Sequence, residues 1–251
     1  MKVAITLILI SFAFAPPLSA AQSGTGIPGT ININLEGSNG KQNLSIPVQI
    51  LLFLTLLTFL PAILVSITCF TRMVVVFHFL RQALGTMETP SNQVVLGLTL
   101  FLTFFVMSPV IEEINQKALQ PMTAGTITQS EALDRAIKPL RGFMMKYTRE
   151  KDYALFLSIA KKPRPRTPDD IPTMVVIPAF MISELKTAFQ IGFVLFLPFL
   201  IIDMVVATVL LSMGMMQLPP VMVSMPFKIL LFIMVDGWNL VVGSLVRSFY
   251  V

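Results

Sequence analysis

A chain of 251 residues that is 55% hydrophobic and only 12% charged carries about half the charge of an ordinary soluble domain, and a mean hydropathy of +0.80 puts it among membrane proteins. The net charge of +5 does not argue for nucleic acid, because residues 112–171 hold 11 of the 18 Lys/Arg together with 8 of the 13 Asp/Glu, a mixed solvated segment with no basic stripe. A single cysteine, Cys69, excludes an internal disulfide and any cysteine-rich metal site.

The N-terminus reads as a signal peptide over residues 1–21. Lys2 supplies the positive start and "VAITLILISFAFA" the short apolar stretch. In "LSAAQ" the small Ser19 and Ala21 stand where cleavage before Gln22 requires small side chains. The competing reading, a first transmembrane helix, is weakened by Pro16 and Pro17, which end the run early. Residues 22–45, rich in Gly, Ser and Asn, are expected to form a flexible arm outside a bacterial inner membrane.

Four apolar blocks follow. Residues 48–70 and 93–111 are each about long enough to cross the hydrocarbon core as helices, and form a first apolar hairpin over 46–111. The stretch between them, "TRMVVVFHFLRQALGTMETPSN", carries Arg72 and Arg81 and is expected as a cytoplasmic loop by the positive-inside rule. Residues 112–171 predict a small helical insert. Thr128 and Glu131 suit a capping box, and Pro139 suits the start of a second helix bearing Leu140, Phe143, Met144 and Tyr147 on one face. Spacing alone leaves open whether that face packs on its own domain or on a neighbouring subunit. "KKPRPRTPDD" reads as a solvated linker. Blocks 187–211 and 221–246, joined by "SMGMMQLPP", make a second hairpin within 172–251. The chain is therefore predicted to be all-α.

Each block is flawed as a lipid-facing span. Pro61, Pro109, Pro198 and Pro226 interrupt backbone bonding, and Asp203, Lys228 and Asp236 bring charge where it costs roughly 2.5 kcal/mol or more unpaired. Such helices belong against protein or a cavity. For Pro109 and Lys228 a place at the interface remains an open alternative. In "PAFMISELKTAFQIGF" the i, i+2 spacing of Glu184 and Lys186 turns them to different sides of a helix, so each needs its own partner. Interfacial charge pairs are expected between neighbouring subunits: Asp203 with Lys228 or Arg149, and Glu184 with Lys228 or Lys186.

No nucleophile with its base, phosphate loop or zinc helix is recognisable, so no enzyme activity, cofactor or metal is expected. His78 in "VVVFHFL" reads as a packed or interfacial histidine, and Cys69 as an inert buried thiol.

Several long stretches resemble the FliP/SctR family of type III secretion export-gate proteins: "LTFLPAILVSITCFTRMVVVFHFLRQALGT", "NQVVLGLTLFLTFFVMSPVI", "PLRGFMMKYTREKDYALF", and "PAFMISELKTAFQIGFVLFLPFLIIDMVVATVLLSMGMMQLPP" followed by "PFKILLFIMVDGWNLVVGSLV". The resemblance runs from about residue 44 to the end. The signal peptide and "DGWNLVVGSLV" are more similar to the flagellar branch than to the injectisome branch. It implies five copies assembled with FliQ and FliR in the flagellar basal body of the inner membrane, alongside FlhB and FlhA-type export components. It also implies a hollow helical oligomer with the insert on the periplasmic side, through which unfolded flagellar proteins pass.

Flexible, apolar Met213, Met215 and Met216 beside Gly214 suit a hydrophobic pore closure. The resemblance implies a methionine gasket at this loop, with Gln217 standing in the third place of a family pattern of three consecutive methionines. Two further readings stand. A proton-coupled secondary transporter would use Glu184, Asp203 and Asp236 as a relay, though the two hairpins lack the internal repeat usual in transporters. A scaffold that lines no pore would differ only in where the Met loop faces.

Overall fold

The computed structural model describes residues 46–86, 90–161, 167, 170–215 and 217–250; the stretch read as a signal peptide, its expected cleavage site at Ala21 and Gln22, the stretch expected as an arm, and Met216 lie outside the described residues. Among the described residues the chain is helical throughout its regular structure. It divides into two compact units, residues 1–53 and 54–251. Of the first, only the opening turns of α1 (Ile46–Ile67) are described. The rest of α1 exposes Leu54 to Leu64 without interruption, the surface of a helix made for lipid or for another protein.

The segment expected as a loop is instead helix α2 (Phe70–Leu84). Its apolar residues recur at helical spacing, and Met73, Val76, Phe77 and Leu80 are all buried, so a packed face outweighs the loop reading of its two arginines. Gly85 closes α2 in the left-handed region at φ +74°, its N–H donating to the Gln82 carbonyl.

Helix α3 (Asn92–Ile114) continues through a π-helical stretch, Asn115–Leu119, into the short α4 (Gln120–Thr123). The chain then turns back through Gly125, at φ +71°, into α5 (Gln129–Tyr147). Thr128 caps α5 by accepting the Glu131 N–H at 3.3 Å. The Glu131 carboxylate turns to Arg135 at 2.6 Å rather than back to the cap. Pro139 does not open a new helix, because one amphipathic face carrying Ala132, Pro139 and Met144 runs straight through it. α6 (Glu150–Ile159) completes the insert.

α7 (Thr173–Ser212) is a single helix of 40 residues. At 1.5 Å per residue it is about 60 Å long, roughly twice a hydrocarbon core. Its first turns are therefore not needed as a span, and they pack Val175, Val176 and Phe180 against Met144 and Leu157 of the insert. Further along, α7 lies against α2, its most extensive helix partner. α8 (Pro220–Met234) and α9 (Gly237–Arg247) follow, bent by 65° at the intervening break. Asp236 occupies the left-handed region there at φ +51°, and a Cβ on Gly237 would lie 2.2 Å from the Phe232 ring, so the turn depends on a bare backbone. Asp236 itself is exposed at this bend, outside the buried interior.

Three helices of the described residues are long and apolar enough to cross a membrane, and the bent α8–α9 pair makes a fourth if taken as one. The main core gathers α2, α3 and α7 with Leu245 and Phe249 near the C-terminus.

Candidate functional site

Adjacent residues on α7, Ser183 and Glu184, point about 100° apart and serve different neighbours. Both are fully buried. Glu184 is gripped by Arg72 of α2 through two nitrogens: Nε donates to Oε2 at 2.9 Å and Nη2 to Oε1. A bidentate guanidinium is the donor geometry that a buried carboxylate needs. The third side of Arg72 is used as well. Nη1 donates to Ser248 Oγ at 2.9 Å, and the guanidinium lies 3.8 Å from the centroid of the Phe249 ring. Tyr147 of α5 donates its hydroxyl to the Phe249 carbonyl. Four segments distant in the chain, α2, α5, α7 and the C-terminus, are thus tied through one arginine.

Ser183 faces the insert. Its hydroxyl donates to Asp152 Oδ2 at 2.5 Å and accepts the Arg149 N–H at 3.1 Å, while the Arg149 guanidinium meets Asp152 at 2.8 Å. Lys186, two residues past Glu184, is exposed beside Lys151 and Arg149. Burial in the same region raises the Tyr153 phenol above its ordinary range.

A third polar centre lies 19 residues beyond Glu184, about 28 Å along the α7 axis. Lys228 of α8, 2% exposed, donates to Asp203 Oδ2 at 2.6 Å, and Ser224 donates to Oδ1 at 2.5 Å. Ser224→Ala is expected to destabilise the protein by about 1.5–3 kcal/mol, the contribution of one hydrogen bond to a charged group, leaving the ion pair intact. Denaturant unfolding in detergent measures it; an unchanged midpoint would show that Lys228 alone satisfies Asp203.

The structure thus places Asp203 against Lys228 within one chain, Arg149 against Asp152, and Glu184 against Arg72 instead of either lysine. Arg72 escaped sequence reasoning because it was assigned to a loop. The signal was present: Arg72, Val76 and Leu80 share a face by i, i+4 spacing, and an arginine on an apolar helix face demands an acid. Arg72 is 3% exposed and bonded to Glu184, so it carries no weight in orienting the chain by the positive-inside rule, and Arg81 alone bears on that argument.

At the far end of α7 the chain leaves the helix through a tight cap. Gly214, at φ +74°, donates to the Leu211 carbonyl and Met215 to that of Leu210, the paired bonds of a Schellman turn. This sets Met213 and Met215 on the tip, 67% and 41% exposed. His78 is exposed on α2, and Cys69 is buried against the Thr103 carbonyl. No group of three potential ligands for a metal ion occurs among the described residues.

The family model described as "FliP family" matches residues 52–245. The chain is 56% identical over 217 residues to the flagellar biosynthetic protein FliP of Bacillus subtilis (strain 168), covering 86% of this chain and 98% of the relative. It is 50% identical over 243 residues to the protein of that name from Pectobacterium carotovorum subsp. carotovorum, covering 97% and 92%. The one from Aquifex aeolicus (strain VF5) is 46% identical over 255 residues, covering 99% and 100%.

Proposed function

Since the chain belongs to the FliP family, we propose that it is a structural subunit of the flagellar protein export apparatus, embedded in the inner membrane of a flagellated bacterium. The observation that carries this reading is sequence identity of 46–56% along nearly the whole length of relatives named for flagellar biosynthesis. In the finer form of the proposal, five copies assemble with FliQ and FliR into a hollow channel, near FlhB and FlhA-type components, with residues 112–171 on the periplasmic side. Unfolded flagellar proteins pass through its centre.

Two features support a wall-forming role over a relay of protons. Glu184 is held at both oxygens by Arg72, and Asp203 by Lys228 and the Ser224 hydroxyl, an arrangement that fixes helices and disfavours proton exchange. Large apolar side chains remain uncovered along α1 and α7, as expected of surfaces that meet lipid or other subunits. Export is tested by complementation of a fliP deletion in a flagellated host. The chain should restore flagellin in the culture supernatant and swimming in soft agar. Normal expression without secretion, in a host closely related to the chain's source, would overturn the reading.

Within that proposal the turn at Met213 and Met215, together with Met216, closes the channel at rest. Flexible apolar side chains exclude water from a narrow gap and bend aside for a passing chain. Replacing Met215 and Met216 with Ala should leave assembly intact and make the resting complex leak small ions, slowing growth when the other gate subunits are co-expressed. Membrane conductance reads the effect. Variants that assemble normally and stay as tight as wild type would move the seal elsewhere.

A further inference from the structure

The turn that ends α7 carries a chemistry that closing a channel does not use. Met213 and Met215 flank Gly214, so two thioethers ride on one tight turn, both of them exposed. Neither belongs to the two apolar clusters found among the described residues. The turn itself is fixed by its backbone: the Gly214 N–H donates to the Leu211 carbonyl and the Met215 N–H to the Leu210 carbonyl, each at 3.0 Å, with Gly214 in the left-handed region. A change in the polarity of the two side chains therefore leaves the shape of the tip in place.

Depth separates these thioethers from the sulfur of the core. Met73, Met107 and Met144 are buried in the clusters, and Cys69, the single cysteine of the chain, is fully buried. Oxygen added to any of them would put a polar group into packed interior and cost stability. On the tip of the turn the same oxygen is solvated at once, so the fold survives the change and a reductase can reach the product. Met174 and Met234 are exposed as well, but they sit at the opposite end of α7 and the far end of α8.

We propose that Met213 and Met215 are a modification site, oxidised by hypochlorous acid to methionine sulfoxide, and that this oxidation unseals the resting channel. The effect on the channel rests on the closure assigned to the same turn above. The sulfur lone pair attacks the chlorine of hypochlorous acid, an S–Cl bond forming as the Cl–O bond breaks and hydroxide leaves. Water then displaces chloride from sulfur and gives up two protons, one of which neutralises the hydroxide. Sulfur is oxidised by two electrons, chlorine is reduced to chloride, and one proton is released. A thioether excludes water from a narrow gap, whereas a sulfoxide oxygen accepts hydrogen bonds from it, so the gap wets and ions follow. Enzymatic reduction of both sulfoxide epimers restores the apolar side chains, which makes the change a switch and not a lesion.

The test uses membrane vesicles from cells that co-express the full chain with the other gate subunits, treated briefly with dilute hypochlorous acid. Peptide mass spectrometry should find sulfoxide at Met213 and Met215 well before Met73 or Met144, and ion conductance should rise severalfold over the same interval. Methionine sulfoxide reductases A and B together should return it to its starting level. Met213→Leu, Met215→Leu and Met216→Leu combined keep side chains of similar volume without sulfur and should abolish the response to oxidant, each preparation being compared with its own conductance before treatment. Met174 and Met234 stay in that variant, so sulfoxides elsewhere still form. Tip methionines that convert without a rise in conductance, a rise that the reductases do not reverse, an equal rise in the leucine variant, or a tip that oxidises no faster than the buried methionines would each overturn the proposal. If Ala at Met215 and Met216 leaks and the sulfoxides do not, the oxidation switch alone falls. If the Ala variants stay tight, the closure falls and the switch falls with it.

Discussion

Arg72→Met should leave the protein barely able to accumulate, because it strands the Glu184 carboxylate at full burial with no cation to meet it. Removing one partner of a buried pair costs about 3–5 kcal/mol, enough to lower a folding equilibrium by more than a hundredfold. The loss does not end at the pair. The same guanidinium holds Ser248 and covers Phe249, so the C-terminal turn loses its anchor between α2 and α5. Arg72→Met combined with Glu184→Leu should recover a large part of the stability, since two apolar groups of similar size need no partner in a dry interior. It should not recover all of it, because the contacts to Ser248 and Phe249 stay broken. Membrane abundance and the denaturation midpoint in detergent report both results. A single variant as stable as wild type would mean that Glu184 is protonated or hydrated in the fold and that the arginine is dispensable.

Gly192→Leu should separate α2 from α7 where Phe79 packs over the bare backbone of Gly192. A Cβ at Gly192 would stand 2.5 Å from Phe79 Cδ2, 2.7 Å from Cγ and 3.1 Å from Cβ. Those atoms include the stem of the phenylalanine, so rotating the ring tip does not relieve the clash. The ring is further held edge-to-face by Phe189, with centroids 5.2 Å apart. Overpacking of this kind costs about 1–3 kcal/mol, of which roughly 1 kcal/mol is returned by replacing glycine within a helix. Because the contact joins the two most extensively packed helices, the expected consequence is a lower thermal midpoint and a looser core. Phe79→Ala in the same chain should restore most of the loss. If Gly192→Leu proves neutral, the helices slide apart without cost and the close approach is not what registers them.

These two residues also mark how far the amino-acid order alone leads. Hydropathy and length were enough to place α1, α3 and the apolar part of α7, because a long uninterrupted apolar run has few alternatives to a helix in or near a membrane. The Thr128 cap and the one-sided pattern of α5 were legible for the same reason: both are local, set by neighbours within a turn. The need for partners at Glu184, Asp203 and Lys228 was legible from the cost of an unpaired buried charge, which holds whatever the fold. The identity of those partners was not. Arg72 and Glu184 are 112 residues apart in the chain, and Ser248 lies 176 residues from Arg72. No periodicity connects them, so only the packing of α2 along α7 decides that they meet. That packing also turned a stretch expected as a loop into a helix, because its apolar face found a surface to bury against. The same packing joined the start of α7 to the insert, since Val175, Val176 and Phe180 gain more from Met144 and Leu157 than from solvent.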